Sequence, residues 1–212
     1  MKKVVILGCT GSVGTQAMEI VAASDQLSVV GLAAASSWEP AVEQARQHGV
    51  PAVAFSDPQA AERASGRWNG RVLAGDEGIR ELIAGSGADL VLNGIVGAAG
   101  LGPTIVALSE GIDVALANKE SLVIGGELVT ALAEATGARL LPVDSEHSAL
   151  FQLIRAEPPG TVERLVITAS GGPLRGRSDL DEVSPEEALA HPTWEMGGRI
   201  TVDSATLMNK GF

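Results

Sequence analysis

The chain has 212 residues, 45% of them hydrophobic and 19% charged, with a formal net charge of −11. That is enough for one large domain or two modest ones with a proper core, and the acidic balance argues against nucleic acid or an anionic membrane as the main partner. A lone cysteine excludes an intrachain disulfide and a Cys-rich zinc site and fits a reducing compartment.

Short β-type runs alternate along the chain with helix-type stretches. The opening "MKKVVILGCTGSVG" starts like a signal peptide, but glycines and a threonine cut its apolar run too early. "KKVVILG" reads instead as a first strand, and "SVGTQAMEIVAAS" as the amphipathic helix after it. "LSVVGLAA" and "PAVAFS" are the next strands, separated by a helix over "PAVEQARQHG". "DLVLNGIVGAAGLGPTIVAL" is interrupted by Asn93, Pro103 and glycines. It therefore reads as strand, loop and helix rather than the roughly 20 apolar residues of a membrane span, and the protein reads as cytoplasmic. "IDVALAN", "ARLLPVD" and "ERLVITAS" complete the strand set, with a helix over "GGELVTALAEATG" closed by a glycine.

Several strands are apolar throughout, as parallel strands covered on both faces are. The pattern predicts an α/β fold with a Rossmann-like, doubly wound parallel sheet. From about Asp144 the regularity loosens. "SGGPLRGRSDLDEVSPEEALAHPTWEMGG" is rich in Gly, Pro and charge, with at most one short helix at "SPEEALA", and reads as a functional lid or a disordered segment.

"GCTGSVG" places Gly8, Gly11 and Gly14 between a strand and a helix. Glycines there allow a tight turn and the approach of a pyrophosphate to bare backbone N–H groups, and Thr10 and Ser12 add hydroxyl donors. Cys9 in the same loop reads as a small filler rather than a nucleophile. An NAD site wants a carboxylate at the end of the second strand, where this chain has Ala35, Ser36 and Ser37. No acid there repels a 2′-phosphate, so NADP is favoured, although no basic residue in that stretch recognises it.

Further along, "ALANKESLV" places Asn118, Lys119 and Glu120 at the C-terminal end of a buried strand, where ligands bind in open α/β sheets. Lysine is scarce: of 15 basic residues only Lys2, Lys3, Lys119 and Lys210 are lysines, so the two interior ones invite a specific explanation. In "LLPVDSEHSALFQLI", Asp144 and Glu146 would share one side of an extended chain and repel each other unless something positive lies between them. "ITASGGPLR" reads as a strand ending in a possible anion nest at Ser170, Gly171 and Gly172. "DSATLMNKG" clusters Ser204, Asn209 and Lys210, donors suited to a phosphate. Each serine alone is more often a helix cap.

Taken together, "GCTGSVG", "NGIVGAAGL", "LANKESLV", "LLPVDSEHSALFQ", "ASGGPLR", "HPTWEMG" and "VDSATLMNKG" closely resemble the 1-deoxy-D-xylulose 5-phosphate reductoisomerase family over essentially the whole chain, in the family's order. The resemblance implies synthesis of 2-C-methyl-D-erythritol 4-phosphate for the non-mevalonate isoprenoid pathway, with NADPH and Mg²⁺ or Mn²⁺, in a homodimer. The chemistry implied is a skeletal rearrangement, most simply by retro-aldol cleavage and re-addition, followed by hydride delivery to an aldehyde. It supplies a metal ion as the positive partner of Asp144 and Glu146, oxygen ligands suited to Mg²⁺ or Mn²⁺. It makes Lys119 and Ser145 substrate contacts and His147 a supporting residue. Ser170, Ser204, Asn209 and Lys210 form the phosphate cradle, and His191, Trp194 and Met196 lie on a closing lid. Thr10, Gly11, Ser12, Val13, Asn118, Glu120 and Gly197 match cofactor positions, beside Gly8, Gly14 and residues 35–37. Residues 1–143 would form the NADP-binding domain and 144–212 a catalytic domain.

Two departures stand out. The family usually carries Gly, a basic residue and Asn where this chain has Ala35, Ser36 and Ser37. Its third metal ligand, a glutamate just beyond "NKG", and its C-terminal helical domain would follow Phe212, so we expect the natural reading frame to continue. The 212 residues alone are expected to bind NADPH with negligible turnover. Two other readings compete: another NADP-dependent reductase, such as a semialdehyde dehydrogenase, for which Cys9 is wrongly placed as nucleophile, and a non-catalytic dinucleotide-binding module.

Overall fold

The structure, a computed structural model, describes residues 1–193, 197–206 and 208–211. They fall into two compact units, Met1–Ser145 and Glu146–Phe212.

The first unit contains seven strands: β1 (Lys2–Leu7), β2 (Leu27–Ala34), β3 (Ala52–Phe55), β4 (Arg71–Ala74), β5 (Leu90–Asn93), β6 (Asp113–Leu116) and β7 (Leu140–Pro142). All pair in parallel, in the order β4-β3-β2-β1-β5-β6-β7. Between them run α1 (Ser12–Ala22), α2 (Trp38–His48), α3 (Pro58–Ser65), α4 (Gly75–Gly85), α5 (Leu101–Ser109) and α6 (Glu120–Thr136), with a 3₁₀ turn at Gly97–Gly100. The expected doubly wound α/β sheet is therefore present.

Strand alternation explains the unbroken apolar run of β1. Val5 and Leu7 point into one core with Ile79, Leu82, Ile83 and Leu108, while Val4 and Ile6 point into the other with Met18, Val42 and Phe55. Helix ends follow the sequence: Asp57 caps α3 by accepting from Gln59 N–H, ahead of Pro58, and Gly137 closes α6 in the left-handed conformation. Strand order reverses beside β1, because β2 pairs with one of its edges and β5 with the other. The crevice outside the C-terminal ends of β1 and β5 is thus the ligand position of this architecture.

In the second unit α7 spans Ser145–Ala156, counting its first residue from the first unit, and is followed by α8 (Pro185–Leu189), α9 (Gly198–Ala205) and α10 (Met208–Gly211). Ser184 and Glu187 form a reciprocal capping box on α8. Two expectations need correction. The chain is already helical at Ser145, so Asp144 and Glu146 do not share the face of a strand. The segment "ERLVITAS" forms no strand: Leu165, Val166 and Ile167 are exposed, and no strand among the described residues pairs with them. A β-prone run becomes a strand only beside a partner. Among the described residues of 170–197, α8 is the one helix, at the "SPEEALA" expected to carry it.

Candidate functional site

In the first unit a cleft of about 600 Å³ lies at the switch point, walled by the 8–11 turn, residues 33–35, Ser56, one face of α4 and residues 94–103. Gly8 has φ +78°, and a Cβ there would lie 2.8 Å from Gly94 O. At Gly14 a Cβ would come within 2.2 Å of Gly8 O, so α1 can approach the turn only without a side chain there. Gly11 precedes α1 and no side chain caps that helix, so its first N–H groups can serve an anion. Cys9 is buried, and burial pushes its thiol up to about 12. It is a filler, as its position in the turn suggests.

The structure brings Gly8, Thr10, Gly11 and Ala35 together in this cleft. Ser12 and Val13 lie just behind them, opening α1. Ser36 and Ser37 are exposed at the start of α2 and are not among the cleft walls. Sequence reasoning missed Ser56, Asp76, Ile79 and Arg80 as cleft residues. The "NGIVGAAGL" stretch supplies another wall, because a strand beside β1 must end next to the turn that β1 feeds.

Behind the 94–103 wall lies a buried polar knot. Asn118 is 1% exposed. Its Nδ2 donates to Ile95 O (2.7 Å), Gly97 O (2.8 Å) and the Glu120 carboxylate (3.2 Å), and its Oδ1 accepts from Ser121 N–H. Glu120 also accepts from Gly97 N–H at 3.1 Å. A Cβ at Gly100 would sit 2.4 Å from Asn118 Cγ, so the glycine is required for the knot to close. Asn93 extends it, donating to Gly100 O and Thr104 Oγ1, both at 2.8 Å. Asn118 and Glu120 therefore fix the shape of the cleft wall.

At the same edge of the sheet Lys119, preceding α6, pairs with Asp144, just beyond β7, at 3.3 Å. Both side chains are largely buried, which strengthens their attraction over that of a surface pair. In the second unit, Lys210 of α10 pairs with Glu146 in the first turn of α7. Each carboxylate of the Asp-Ser-Glu stretch thus holds one of the two interior lysines. Among the described residues no three His, Cys, Asp or Glu side chains cluster as a metal site.

Also in the second unit, Ser170 Oγ lies 3.1 Å from His191 Nε2. His191 Nδ1 accepts from Thr193 N–H at 3.2 Å, so a neutral ring carries its proton on Nε2 and donates it to Ser170. Ser170 Oγ in turn accepts from Gly172 N–H. Gly172 has φ +62°, and a Cβ there would be 1.9 Å from Ser204 O, so the 170–172 turn and the end of α9 meet backbone to backbone. This unit therefore brings Ser170, His191 and Ser204 into one neighbourhood. Asn209 lies on α10 beside Lys210, and Gly197 precedes α9. Ser145 and His147 lie in the first turn of α7. Trp194 and Met196 lie outside the described residues.

The family model described as 1-deoxy-D-xylulose 5-phosphate reductoisomerase matches residues 4–126, and that of the family's C-terminal domain matches 140–212. A curated 1-deoxy-D-xylulose 5-phosphate reductoisomerase from Symbiobacterium thermophilum is 49% identical, over 100% of this chain and 57% of its own length. The chain thus spans little more than half of that relative. A crystal structure of DOX-P reductoisomerase in complex with NADPH, fosmidomycin and magnesium superposes with a TM-score of 0.91 at 34% identity, covering 100% of this chain and 56% of its own. The Zymomonas mobilis reductoisomerase in complex with NADPH gives 0.86 at 36% identity, over 99% and 55%.

Proposed function

The chain belongs to the 1-deoxy-D-xylulose 5-phosphate reductoisomerase family, and from that premise we propose that it serves the NADPH- and divalent-metal-dependent conversion of 1-deoxy-D-xylulose 5-phosphate to 2-C-methyl-D-erythritol 4-phosphate. The observation that most supports this reading is a shared edge: the glycine cradle after β1, Lys119 after β6 and Asp144 after β7 all lie at the C-terminal edge of one parallel sheet. Reduction requires groups for cofactor and for substrate to adjoin in that way.

The residues fit both groups. Gly8 and Gly14 keep open a cradle that a Cβ would fill, and NADPH would supply the hydride. Asp144 and Glu146 offer the hard oxygen donors that Mg²⁺ or Mn²⁺ takes. When bound, the cation would polarise the substrate carbonyl and stabilise negative charge on its oxygen. The chain's own groups do the rest. Lys119 pairs with Asp144 and Lys210 with Glu146; with a cation on those carboxylates the two ammonium groups would be available to an anionic substrate. Ser170, aimed by His191, joins Ser204, Asn209 and Lys210 in gripping the phosphate, which keeps both fragments of a cleaved skeleton in place. Ser145 orients the substrate hydroxyls. Trp194, Met196 and Gly197 serve the closing segment that excludes water. Asn118 and Glu120 hold the cofactor wall. Residues 1–143 act as the NADP-binding domain and 144–212 as the catalytic one, in a cytoplasmic homodimer.

Turnover tests the proposal: substrate, NADPH and Mg²⁺ are mixed with the protein extended to the length of its relatives, and loss of NADPH absorbance is followed. No product would overturn it. Calorimetric titration with Mn²⁺ tests the ligands separately: Asp144→Ala should lose most of the affinity, and unchanged binding would refute the metal assignment.

A further inference from the structure

The geometry points to Arg80 as the residue that recognises the adenosine 2′-phosphate in this chain. The inference rests on the cofactor reading above and deepens it. β2 ends in Ala34, and the exposed residues that follow, Ala35, Ser36 and Ser37, carry no cation, so the position where a Rossmann-like sheet ordinarily sets its ribose preference is silent here. Yet the cleft is not without positive charge. Arg80, from the second turn of α4, walls it together with Ala35 at the end of β2 and Ser56 at the end of β3. It is the one basic side chain among the described residues of those walls.

Three features suit Arg80 to a phosphate. Its side chain is 53% exposed, so the guanidinium is accessible. Its ion pair with Glu77 is long, at 3.5 Å, and Glu77 is itself 84% exposed; such a pair is held weakly and yields readily to a dianion. A planar guanidinium can give a phosphate two parallel N–H bonds, which no serine hydroxyl can match. Asp76, one turn earlier on the same face of α4, is the one acid in the walls. Without Arg80 that end of the cleft would be negative and would repel a 2′-phosphate. With it, the local charge is balanced, and the phosphate is drawn to the arginine side.

Calorimetric titration of NADPH and NADH against the unmodified protein, Arg80→Ala and Arg80→Lys tests this. Arg80→Ala should weaken NADPH roughly 10- to 100-fold, as loss of a charge-assisted pair does. NADH should stay within about twofold, and Arg80→Lys should recover part of the NADPH loss through its charge alone. Equal weakening of both cofactors would overturn the assignment, since an arginine stacked on adenine or holding the fold makes no distinction between them. Unchanged NADPH binding in Arg80→Ala would overturn it too, leaving the cofactor reading intact. If the unmodified protein binds neither nucleotide, the cofactor reading itself fails and the Arg80 assignment falls with it.

Discussion

The two units are ordered by different physics. In the first, seven paired strands carry two apolar cores, and Phe55, Ile6, Leu7, Leu32 and Ile83 are fully buried. In the second, α7 and α8 bury no residue, and the buried described positions are Gly172, Thr201, Ser204 and Ala205. Its order comes from a capping box, ion pairs such as Arg177–Glu187 and one glycine-permitted backbone contact. Hydrophobic burial of the first kind contributes several kcal/mol per large side chain, whereas caps and exposed ion pairs contribute about 1 kcal/mol or less each. The sheet that carries the glycine turn is therefore stable on its own core, whereas the second unit rests on weaker, more local contacts.

Substitutions can break this contrast. Phe55→Ala empties a fully buried site and should destabilise the first unit by about 3–5 kcal/mol in denaturant titration, whereas Val166→Ala, on an exposed run, should change stability by less than about 0.5 kcal/mol. Comparable losses at both would erase the distinction. Gly172→Ala forces a Cβ into Ser204 O at a positive φ. It should cost the second unit about 1–3 kcal/mol, seen as faster proteolysis within residues 157–190 while NADPH binding is retained.

A smaller effect concerns Asp113. It accepts from the Arg139 side chain and backbone and from Lys2, and Arg139 above all holds its carboxyl well below the usual range. A depressed folded value means this stabilisation is complete above the unfolded carboxylate value, near pH 4, and is lost as pH falls below it toward the folded one. With Arg139 largely exposed, Asp113→Asn should cost on the order of 1 kcal/mol near pH 7. It should also flatten the acid limb of the stability profile below pH 4, which a pH series of thermal melts would show.

Legibility from sequence followed the same divide. The β1 turn was readable because its demand is local: backbone must pass where Gly8 and Gly14 stand. The parallel strands were readable from their unbroken apolar runs. β4 was not, because four half-exposed residues at a sheet edge carry almost no pattern. "ERLVITAS" misled because its β-branched residues signal a strand only in the company of another. Arg80 and Ser56 could not be placed from sequence, since only the folded crossovers through β3 and α4 bring them to the end of β2. The Lys119–Asp144 and Lys210–Glu146 pairs were hinted at by the scarcity of lysine, but which carboxylate each would meet was a matter of tertiary structure.

The central claim is that the glycine-cut cleft of the first unit holds the nicotinamide dinucleotide. Amide hydrogen exchange with and without NADPH tests it most directly. The account predicts slowed exchange at residues 8–14, 76–80 and 94–103, with the exposed run 163–168 unchanged. Slowing confined to the second unit, or none at all at saturating NADPH, would contradict it.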